Sequence, residues 1–339
     1  MRPTSLGDRA EAIDRFLAQH GWAGAERRPL AGDASFRRYE RVARNGLTAV
    51  VMDAPPPQND VRPFVRIARV LAGLDLSAPR VHAVDEGQGL LLLEDLGDMT
   101  YGRALATGAD EGALYRLAID VLIALHRRFR PTGATLPAFD DARALREVEL
   151  VLDWYWPALK GETVSKRVRE SYRAAWRAVL PDRDSAPSTL ALFDYHIDNL
   201  MWLPERDGVK ACGLLDFQDA IAGPVSFDLV SLLEDARRDV PLDLAADCID
   251  RYLAAFPALD RKGFETSYAV IGAQRNTRIL GTFARLKLRD GKPAYLGHLP
   301  RVWRWIESDL AQPALGPVRA WFDRYIPSGE RRVPAALAA

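Results

Sequence analysis

TLALFDYHIDNLMWLPERDGVKACGLLDFQDA, residues 189–220, combines three short apolar runs with a cluster of acids and amides. The runs TLALF, NLMWL and KACGLL predict short strands, because apolar segments of this length bounded by turn residues are typical of buried strands. Asp194 follows the first run, Asn199 comes five residues later, and Asp216 follows the third run. This order and spacing is typical of phosphoryl-transfer enzymes, which use one base and two metal ligands.

The chemistry of such a reaction assigns a role to each of the three side chains. A hydroxyl group is a poor nucleophile at neutral pH, so a carboxylate must orient it and accept its proton, and we assign this role to Asp194. Magnesium prefers oxygen ligands and keeps several waters, so Asn199 and Asp216 are sufficient ligands beside nucleotide phosphates. The alternative is that Asp194, Asp198 and Asn199 only cap turns. That alternative does not explain the position of Asp216 directly after the third apolar run.

The composition limits the classes of protein to be considered. The 339 residues are 48% hydrophobic, enough for one large domain or two lobes. Lys plus Arg equals Asp plus Glu, at 46 each, which gives no reason to expect nucleic acid or an anionic membrane as partner. Cys212 and Cys248 lie in apolar segments without a metal-binding spacing, and we predict two buried thiols. The polar N-terminus and the lack of an apolar run of about 20 residues favour a cytoplasmic protein, expected to be a monomer.

The sequence changes character near residue 96. Before it, FRRYERV, LTAVVMD, RVHAV and GLLLLED predict strands, and Asn45-Gly46 favours a tight hairpin between the first two. After it, long amphipathic helices dominate. We predict an α+β fold with a small mixed β-sheet N-lobe, residues 1–96, a larger and mainly helical C-lobe, residues 97–339, and a hinge at about 94–98. The Pro/Ala-rich ending after Ile326 is expected to fray.

The apolar periodicity predicts the helices individually. They are Asp8–Gln19, Val61–Leu74, Glu111–Arg128, Ala142–Trp156, Ser165–Val179, Ser226–Arg237, Leu242–Phe256 and Phe264–Leu288.

Two motifs of this chain resemble those of a known superfamily. LFDYHIDNL followed by LLDFQDA is similar to the catalytic and metal loops of the aminoglycoside-phosphotransferase and choline-kinase-like superfamily, which has the protein-kinase two-lobe fold. More narrowly, GDASFRRYERV, LLLEDLGD and QRNTRILGTFARL resemble the anomeric kinases of cell-wall sugar recycling, and the resemblance runs from about Leu30 to Leu288. It implies an ATP- and magnesium-dependent kinase for the C1 hydroxyl of N-acetylmuramic acid and N-acetylglucosamine. An aminoglycoside, choline or homoserine as acceptor remains an alternative, and so does a nucleotide-binding pseudokinase.

The resemblance also implies where the nucleotide binds. It assigns the phosphates to the loop that contains Gly32 and Ser35, and the adenine to the hinge at Glu94 and Leu96. Adenine recognition in this fold uses backbone groups, so the hinge residues are named for their position.

One expected feature of a kinase is missing from the first lobe. The first lysine of the chain is Lys160, and the predicted helix Val61–Leu74 has no glutamate to pair with a strand lysine. Arg37 and Arg38 are the nearest substitutes, because guanidinium binds phosphate through two parallel hydrogen bonds. Neighbouring residues of a strand point to opposite faces, so only one can face the nucleotide. We favour Arg38; alternatively, both are exposed.

The acceptor contacts are expected on the second lobe and beside the two loops. Sugars are commonly held by carboxylates and amides with an aromatic ring beneath them, which indicates Glu147 and Trp154 on one predicted helix. Arg275 can pair with the lactyl carboxylate of N-acetylmuramic acid. His196 and Asp219 flank the catalytic and metal loops. The alternatives are a core position for the tryptophan and a solvated helix face for the arginine.

One further acid is expected to act indirectly. Asp228, in GPVSFDLVSLL, begins a predicted helix, and the resemblance implies that it braces the backbone of the catalytic loop. By position alone it is equally a first-turn acid favoured by the helix dipole.

Overall fold

The computed structural model of the chain describes residues 6–30, 37–130 and 136–338. They form two compact units. The first, here the sheet unit, comprises Met1–Val121 and Ile197–Asp219; the second, the helical unit, comprises Leu122–His196 and Ala220–Ala339. This division differs from the lobes predicted at residues 1–96 and 97–339, because the sheet unit also takes in the chain up to residue 121 and a later hairpin.

The sheet unit is built on five antiparallel strands in the order β1-β2-β3-β5-β4. They are β1 (Glu26–Pro29), β2 (Arg38–Arg44), β3 (Leu47–Asp53), β4 (Val81–Asp85) and β5 (Leu90–Glu94). The predicted hairpin between β2 and β3 is confirmed. Arg44 pairs with Leu47, and Asn45 and Gly46 both adopt positive φ, the backbone that such a two-residue turn requires.

Two helices bury the apolar residues of this unit. Helix α1 (Leu6–Gln19) packs Ile13, Phe16 and Leu17 against Val42, Leu90 and other strand residues. Helix α2 (Arg62–Gly73) buries an apolar stripe, including Phe64, whose ring lies 4.8 Å from that of Phe217. Helix α3 (Tyr101–Ala106) and the start of α4 (Glu111–Arg128) complete the unit.

A hairpin distant in sequence joins the sheet unit through backbone hydrogen bonds. It consists of β7 (Leu200–Trp202) and β8 (Cys212–Leu214). The N–H of Leu214 donates to the carbonyl of Ser77 at 2.7 Å, and the N–H of Trp202 donates to the carbonyl of Met99 at 2.7 Å. These bonds assign residues 197–219 to the first unit.

The helical unit surrounds a 28-residue helix, α10 (Arg261–Leu288). This helix is buried on most of its faces, as expected for a helix in the interior of a large domain. The other elements of the unit are α5 (Asp141–Val148), α6 (Trp156–Lys160), α7 (Lys166–Val179), β6 (Ser188–Ala191), β9 (Ile221–Pro224), α8 (Phe227–Leu233), α9 (Leu242–Ala255), α11 (Leu299–Asp309), α12 (Gly316–Tyr325) and α13 (Ala335–Ala338).

Two sequence predictions for this unit are wrong. The predicted helix Ala142–Trp156 is interrupted, because α5 ends at Val148 and a π-helical segment, Val151–Tyr155, precedes α6. The C-terminal segment does not fray, since α13 buries Leu337 in the helical core. No helix among the described residues is long and apolar enough to cross a membrane. Both cysteines are buried thiols, as predicted.

Candidate active site

The sheet unit contains a cavity of about 360 Å³. Strand, hinge and hairpin residues line it together: Leu30, Arg37, Tyr39, Val50, Phe64, Pro79, Leu93, Glu94, Asp95, Leu96, Gly97, Asp198, Asn199, Met201, Leu215 and Asp216. Four residues predicted from the sequence are therefore in one place: Glu94 and Leu96 of the hinge, and Asn199 and Asp216 of the hairpin. A lining that combines apolar side chains with polar ones suits a ligand that has both an apolar part and a polar part.

The hinge is held by arginines of the same unit. Arg41, on β2, donates to Asp95 at 3.0 Å and to Asp98 at 2.7 Å. The hydrogen bonds to Asp98 and to Asp95, of which the first has the larger effect, raise the pKa of Arg41. In return, the hydrogen bond from Arg41 lowers the pKa of Asp98. Arg206 donates to Glu94 at 2.8 Å. The hinge acids are thus neutralised by the protein itself.

Asn199 and Asp216 lie side by side at the hairpin. The carbonyl of Asn199 accepts a hydrogen bond from the N–H of Leu215 at 2.9 Å, which brings Asn199 next to the residue that follows β8. Asp216 has φ of 55°, a left-handed backbone that is uncommon outside glycine and often marks functional sites. Its carboxylate remains 42% exposed.

Two side chains orient the Asp216 carboxylate. Arg37 Nη1 donates to Asp216 Oδ1 at 3.2 Å, and Gln218 Nε2 donates to the same oxygen at 2.8 Å. Gln218 also donates to Asp219 Oδ2 at 3.1 Å, so it links the exposed Asp219 to Asp216. Gln218 carries no role predicted from the sequence, although its place between two acids in DFQDA is a visible signal.

The preference for Arg38 over Arg37 requires a correction. Arg38 is exposed and does not line the cavity, whereas Arg37 does. Alternation along the chain explains which arginine faces the cavity. Arg37 and Tyr39, two residues apart, lie on the cavity face, whereas Arg38 points to the opposite face. The predicted phosphate-loop residues Gly32 and Ser35 lie outside the described residues.

Asp194 lies in the helical unit and is half-buried. Its carboxylate lies beside Arg278, whose Nη2 is 3.7 Å from Asp194 Oδ1. The guanidinium of Arg278 also covers the ring of Phe193, 4.3 Å from its centroid, which fixes its position beside the acid. The sequence pattern assigned no role to Arg278, and the structure shows that it contacts Asp194.

Asp228 braces the residue before Asp194, as the resemblance implied. Its buried carboxylate accepts hydrogen bonds from the N–H groups of Leu192 at 2.7 Å and Phe193 at 3.0 Å. Phe193 has φ of 79°, a strained backbone for a non-glycine residue, and its ring stacks on Phe227 at 5.3 Å. Burial raises the pKa of Asp228 to about 7.

Glu147 joins the polar cluster around Asp194. It accepts hydrogen bonds from Arg143 at 2.9 Å and from Gln274 at 3.1 Å, and its carboxylate is 3.9 Å from Arg278. Arg278 therefore connects Glu147 to Asp194. The structure thus links Glu147, a predicted acceptor contact, to the catalytic candidate through a single side chain.

Arg275 and His196 are both buried in the helical unit. Arg275 is 2% exposed, so it does not belong to a solvated helix face, and burial lowers its pKa to about 10. Its Nε and Nη1 have no hydrogen-bond partner among the described residues. Burial, with the charges of Arg237 and Arg275, lowers the pKa of His196, which is therefore neutral at physiological pH.

Trp154 lies against the hydrophobic core of the helical unit. It belongs to the π-helical segment and packs, half-buried, against the helical core. The prediction placed Trp154 and Glu147 on one continuous helix, whereas α5 ends at Val148 and Trp154 belongs to the π-helical segment that follows.

Asn199 and Asp216 fit a magnesium ion by the chemistry of their donors. Both offer oxygen atoms to the same cavity, and Asp216 is accessible. Within the described residues no group of three or more His, Cys, Asp or Glu side chains could form an all-protein cage. Magnesium does not need one, because it shares its remaining positions between water and phosphate oxygens.

Comparison with known proteins gives a consistent result. The sequence matches the phosphotransferase enzyme family over residues 26–262. It is 39% identical to an N-acetylmuramate/N-acetylglucosamine kinase of Caulobacter vibrioides, over 97% of this chain and 100% of that protein. It is 38% identical to an N-acetylmuramate/N-acetylglucosamine kinase of Pseudomonas aeruginosa, over 88% of each chain.

Solved structures support the same assignment of the fold. The GDP and kanamycin complex of APH(2'')-IIia aligns with a TM-score of 0.62 and 14% identity, over 89% of this chain and 99% of that one. The predicted protein-kinase-like two-lobe fold is confirmed. With a family match over residues 26–262 and a relative at 39% identity across its whole length, the chain belongs to the phosphotransferase enzyme family.

Proposed function

We propose that this protein is an ATP- and magnesium-dependent kinase that phosphorylates the C1 hydroxyl of N-acetylmuramic acid and N-acetylglucosamine. The observation that carries the proposal is the 39% identity to a kinase of that name across the full length of the relative. A choice of acceptor depends on the whole site rather than on one motif, so likeness over a complete chain is stronger support than a matching loop.

In the proposed reaction, Asp194 acts on the acceptor. Its carboxylate accepts a hydrogen bond from the C1 hydroxyl, takes the proton as the hydroxyl oxygen forms a bond to the γ-phosphorus, and later releases it to solvent. The bond between the γ-phosphorus and the β–γ bridging oxygen breaks, and ADP leaves. Arg278, 3.7 Å away, and the brace from Asp228 hold Asp194 in place for this step.

The nucleotide is proposed to bind in the cavity of the sheet unit. The apolar side chains Val50 and Leu93 line the part that would receive adenine, next to the hinge at Leu96. Asn199 and Asp216 would hold magnesium, which supplies positive charge to the phosphate groups during transfer. The nucleotide-bound relative in the same fold is consistent with this use of the unit.

The acceptor is proposed to bind near Asp194, at the polar cluster of the helical unit. Glu147 can accept hydrogen bonds from sugar hydroxyls, and its own partners Arg143 and Gln274 keep its carboxylate oriented. The positive charges of Arg275 and Arg278 favour an acceptor that bears a carboxylate, as N-acetylmuramic acid does. N-acetylglucosamine lacks that group and is expected to bind more weakly.

Phosphorus NMR of the product tests the proposal. The protein is incubated with magnesium ATP and N-acetylmuramic acid, and the expected product is a glycosyl phosphate whose phosphorus signal is lost in mild acid. A matched panel with choline, homoserine and an aminoglycoside tests the other acceptors. An acid-stable phosphate ester from one of these, with no transfer to the amino sugars, would overturn the proposal. Binding of ATP without transfer to any acceptor would indicate a pseudokinase.

A further inference from the structure

The cavity of the sheet unit has little positive charge for a nucleotide site. Among the described residues that line it, four are acids and Arg37 is the one base. Two of the acids, Glu94 and Asp95, are paired with arginines that do not line the cavity. Because a nucleoside triphosphate is a polyanion, its phosphates need a cation from the protein besides the metal ion.

The strand that would carry a lysine in a kinase, β3, has no basic side chain here. Val50 of β3 lines the cavity, and Met52, two residues on, lies on the same face. In the antiparallel register Met52 is opposite Tyr39, which also lines the cavity, so the cavity face continues onto β2. Arg37 precedes Tyr39 by two residues and shares this face, whereas Arg38 points away.

The partner of the missing lysine is absent too. Helix α2 contains no acid and presents Phe64 to the cavity, packed against Phe217. The acid that Arg37 contacts is instead Asp216, at 3.2 Å. The guanidinium is a planar fork of N–H donors, the geometry that binds phosphate oxygens through two parallel hydrogen bonds.

We propose that Arg37 binds the phosphate groups of the nucleotide, and that this arginine, which directly precedes β2 and contacts Asp216, replaces the lysine–glutamate pair of other kinases. The inference rests on the proposed kinase function. Arg37 is only 17% exposed and is held by the metal-loop carboxylate, so its charge is preorganised where phosphates and magnesium would meet. Arg37, next to β2, can take the place of a lysine on β3 because the two positions lie on one face of the sheet.

Equilibrium binding to three variants tests the role of Arg37 without any acceptor. The dissociation constants of magnesium ATP and of adenosine are measured by calorimetry. Arg37→Ala is expected to weaken magnesium ATP binding roughly 10- to 100-fold, the usual effect of losing a charge-assisted contact, and to leave adenosine binding within about twofold. Arg37→Lys is expected to recover part of the loss. Arg38→Ala removes the same charge from the outward-facing neighbour and is expected to change neither constant by more than about twofold.

The remaining outcomes either overturn the role of Arg37 or distinguish it from the proposed acceptor. Equal losses for magnesium ATP and adenosine in Arg37→Ala would mean that the arginine only supports the cavity wall, and would overturn the inference. So would a phosphate-selective loss in Arg38→Ala, or unchanged binding in Arg37→Ala. If the wild-type protein phosphorylates no amino sugar but the selective loss in Arg37→Ala is found, the acceptor proposal fails and the role of Arg37 stands.

Discussion

At the scale of single residues, strained backbone coincides with the proposed chemistry. Phe193 and Asp216 both adopt left-handed φ, at the residue before the proposed base and at a proposed metal ligand. Such conformations cost on the order of 1–3 kcal/mol and persist only where other contacts impose them. For Phe193 these contacts are the two hydrogen bonds to Asp228 and the stacking on Phe227.

The first prediction concerns the proposed base. Asp194→Asn keeps the size of the side chain but cannot accept the proton, so kcat is expected to fall by about three orders of magnitude or more. The dissociation constant of magnesium ATP is expected to stay within about threefold. Steady-state kinetics measures kcat, and calorimetry measures the dissociation constant of magnesium ATP. Asp243→Asn, the same change at an exposed acid of α9, is the control. Near wild-type turnover of Asp194→Asn would refute the assignment.

The proposed residue roles rest in part on local signals in the sequence. The order of Asp194, Asn199 and Asp216 is a local signal, and so is the alternation that separates Arg37 from Arg38. Which of the two arginines faces the cavity could not be predicted, because the answer depends on the pairing of β2 with β3 and on which sheet face is covered.

At the scale of elements, local signals predicted the hairpin at Asn45-Gly46 but not the interruption of the helix near Val148. The hairpin is set by two residues whose backbone preference is intrinsic. The interruption depends on a neighbour that is distant in sequence: Gly281 of α10 lies so close to the segment at Leu150 that no side chain fits between them. A periodic pattern within residues 142–156 carries no information about that contact.

The second prediction follows from this contact. A Cβ at Gly281 would lie 2.3 Å from the carbonyl carbon of Leu150 and 2.5 Å from the nitrogen of Val151, both backbone atoms. Gly281→Ala is therefore expected to lower the free energy of unfolding by about 1–3 kcal/mol, despite the better helix propensity of alanine. Gly297→Ala, where a Cβ meets nothing within 4 Å, is the matched control. Urea denaturation compares them, and equal stability of the two variants would contradict the prediction.

The third prediction concerns two buried acids, Glu234 and Asp309, that both contact Asn276 of α10. Glu234 accepts a hydrogen bond from Asn276 of α10 at 2.6 Å, and Asp309 of α11 lies next to the same amide. Burial raises the pKa of Glu234 to about 7 and raises the pKa of Asp309. The folded protein therefore holds protons that the unfolded chain has released, and the contribution of this pair to stability falls as pH rises from about 4 to about 7.

Asp309→Asn replaces one acid of the pair by a neutral amide. Relative to the wild type, the variant is expected to gain stability on the order of 1–3 kcal/mol between about pH 5 and about pH 8. Urea denaturation across this range measures the difference, with Asp243→Asn as the control for an exposed acid. Parallel stability curves for the wild type and Asp309→Asn would show that the pair does not titrate in this window.

At the scale of the whole molecule, the compact units are not continuous in sequence. The change in composition near residue 96 correctly indicated a sheet-rich part followed by a helical part. It could not indicate that residues 197–219 belong with the sheet, because that depends on hydrogen bonds from Leu214 to Ser77 and from Trp202 to Met99, across more than a hundred residues of chain. As a consequence, the proposed metal ligands belong to the sheet unit and the proposed base to the helical unit.

The last prediction uses the proposed metal site to stabilise the whole protein. A ligand that binds only the folded state at about 100 times its dissociation constant adds about 2.7 kcal/mol to the free energy of unfolding. Magnesium ATP at that excess is expected to raise Tm by several degrees, whereas ATP with EDTA gives a smaller rise because the phosphates lose the charge of the metal. Asparagine at position 216 tolerates the left-handed backbone but lacks the charge. Asp216→Asn is therefore expected to show an equally small rise in Tm with and without magnesium. A rise in Tm that is independent of magnesium in the wild type would remove Asn199 and Asp216 as metal ligands.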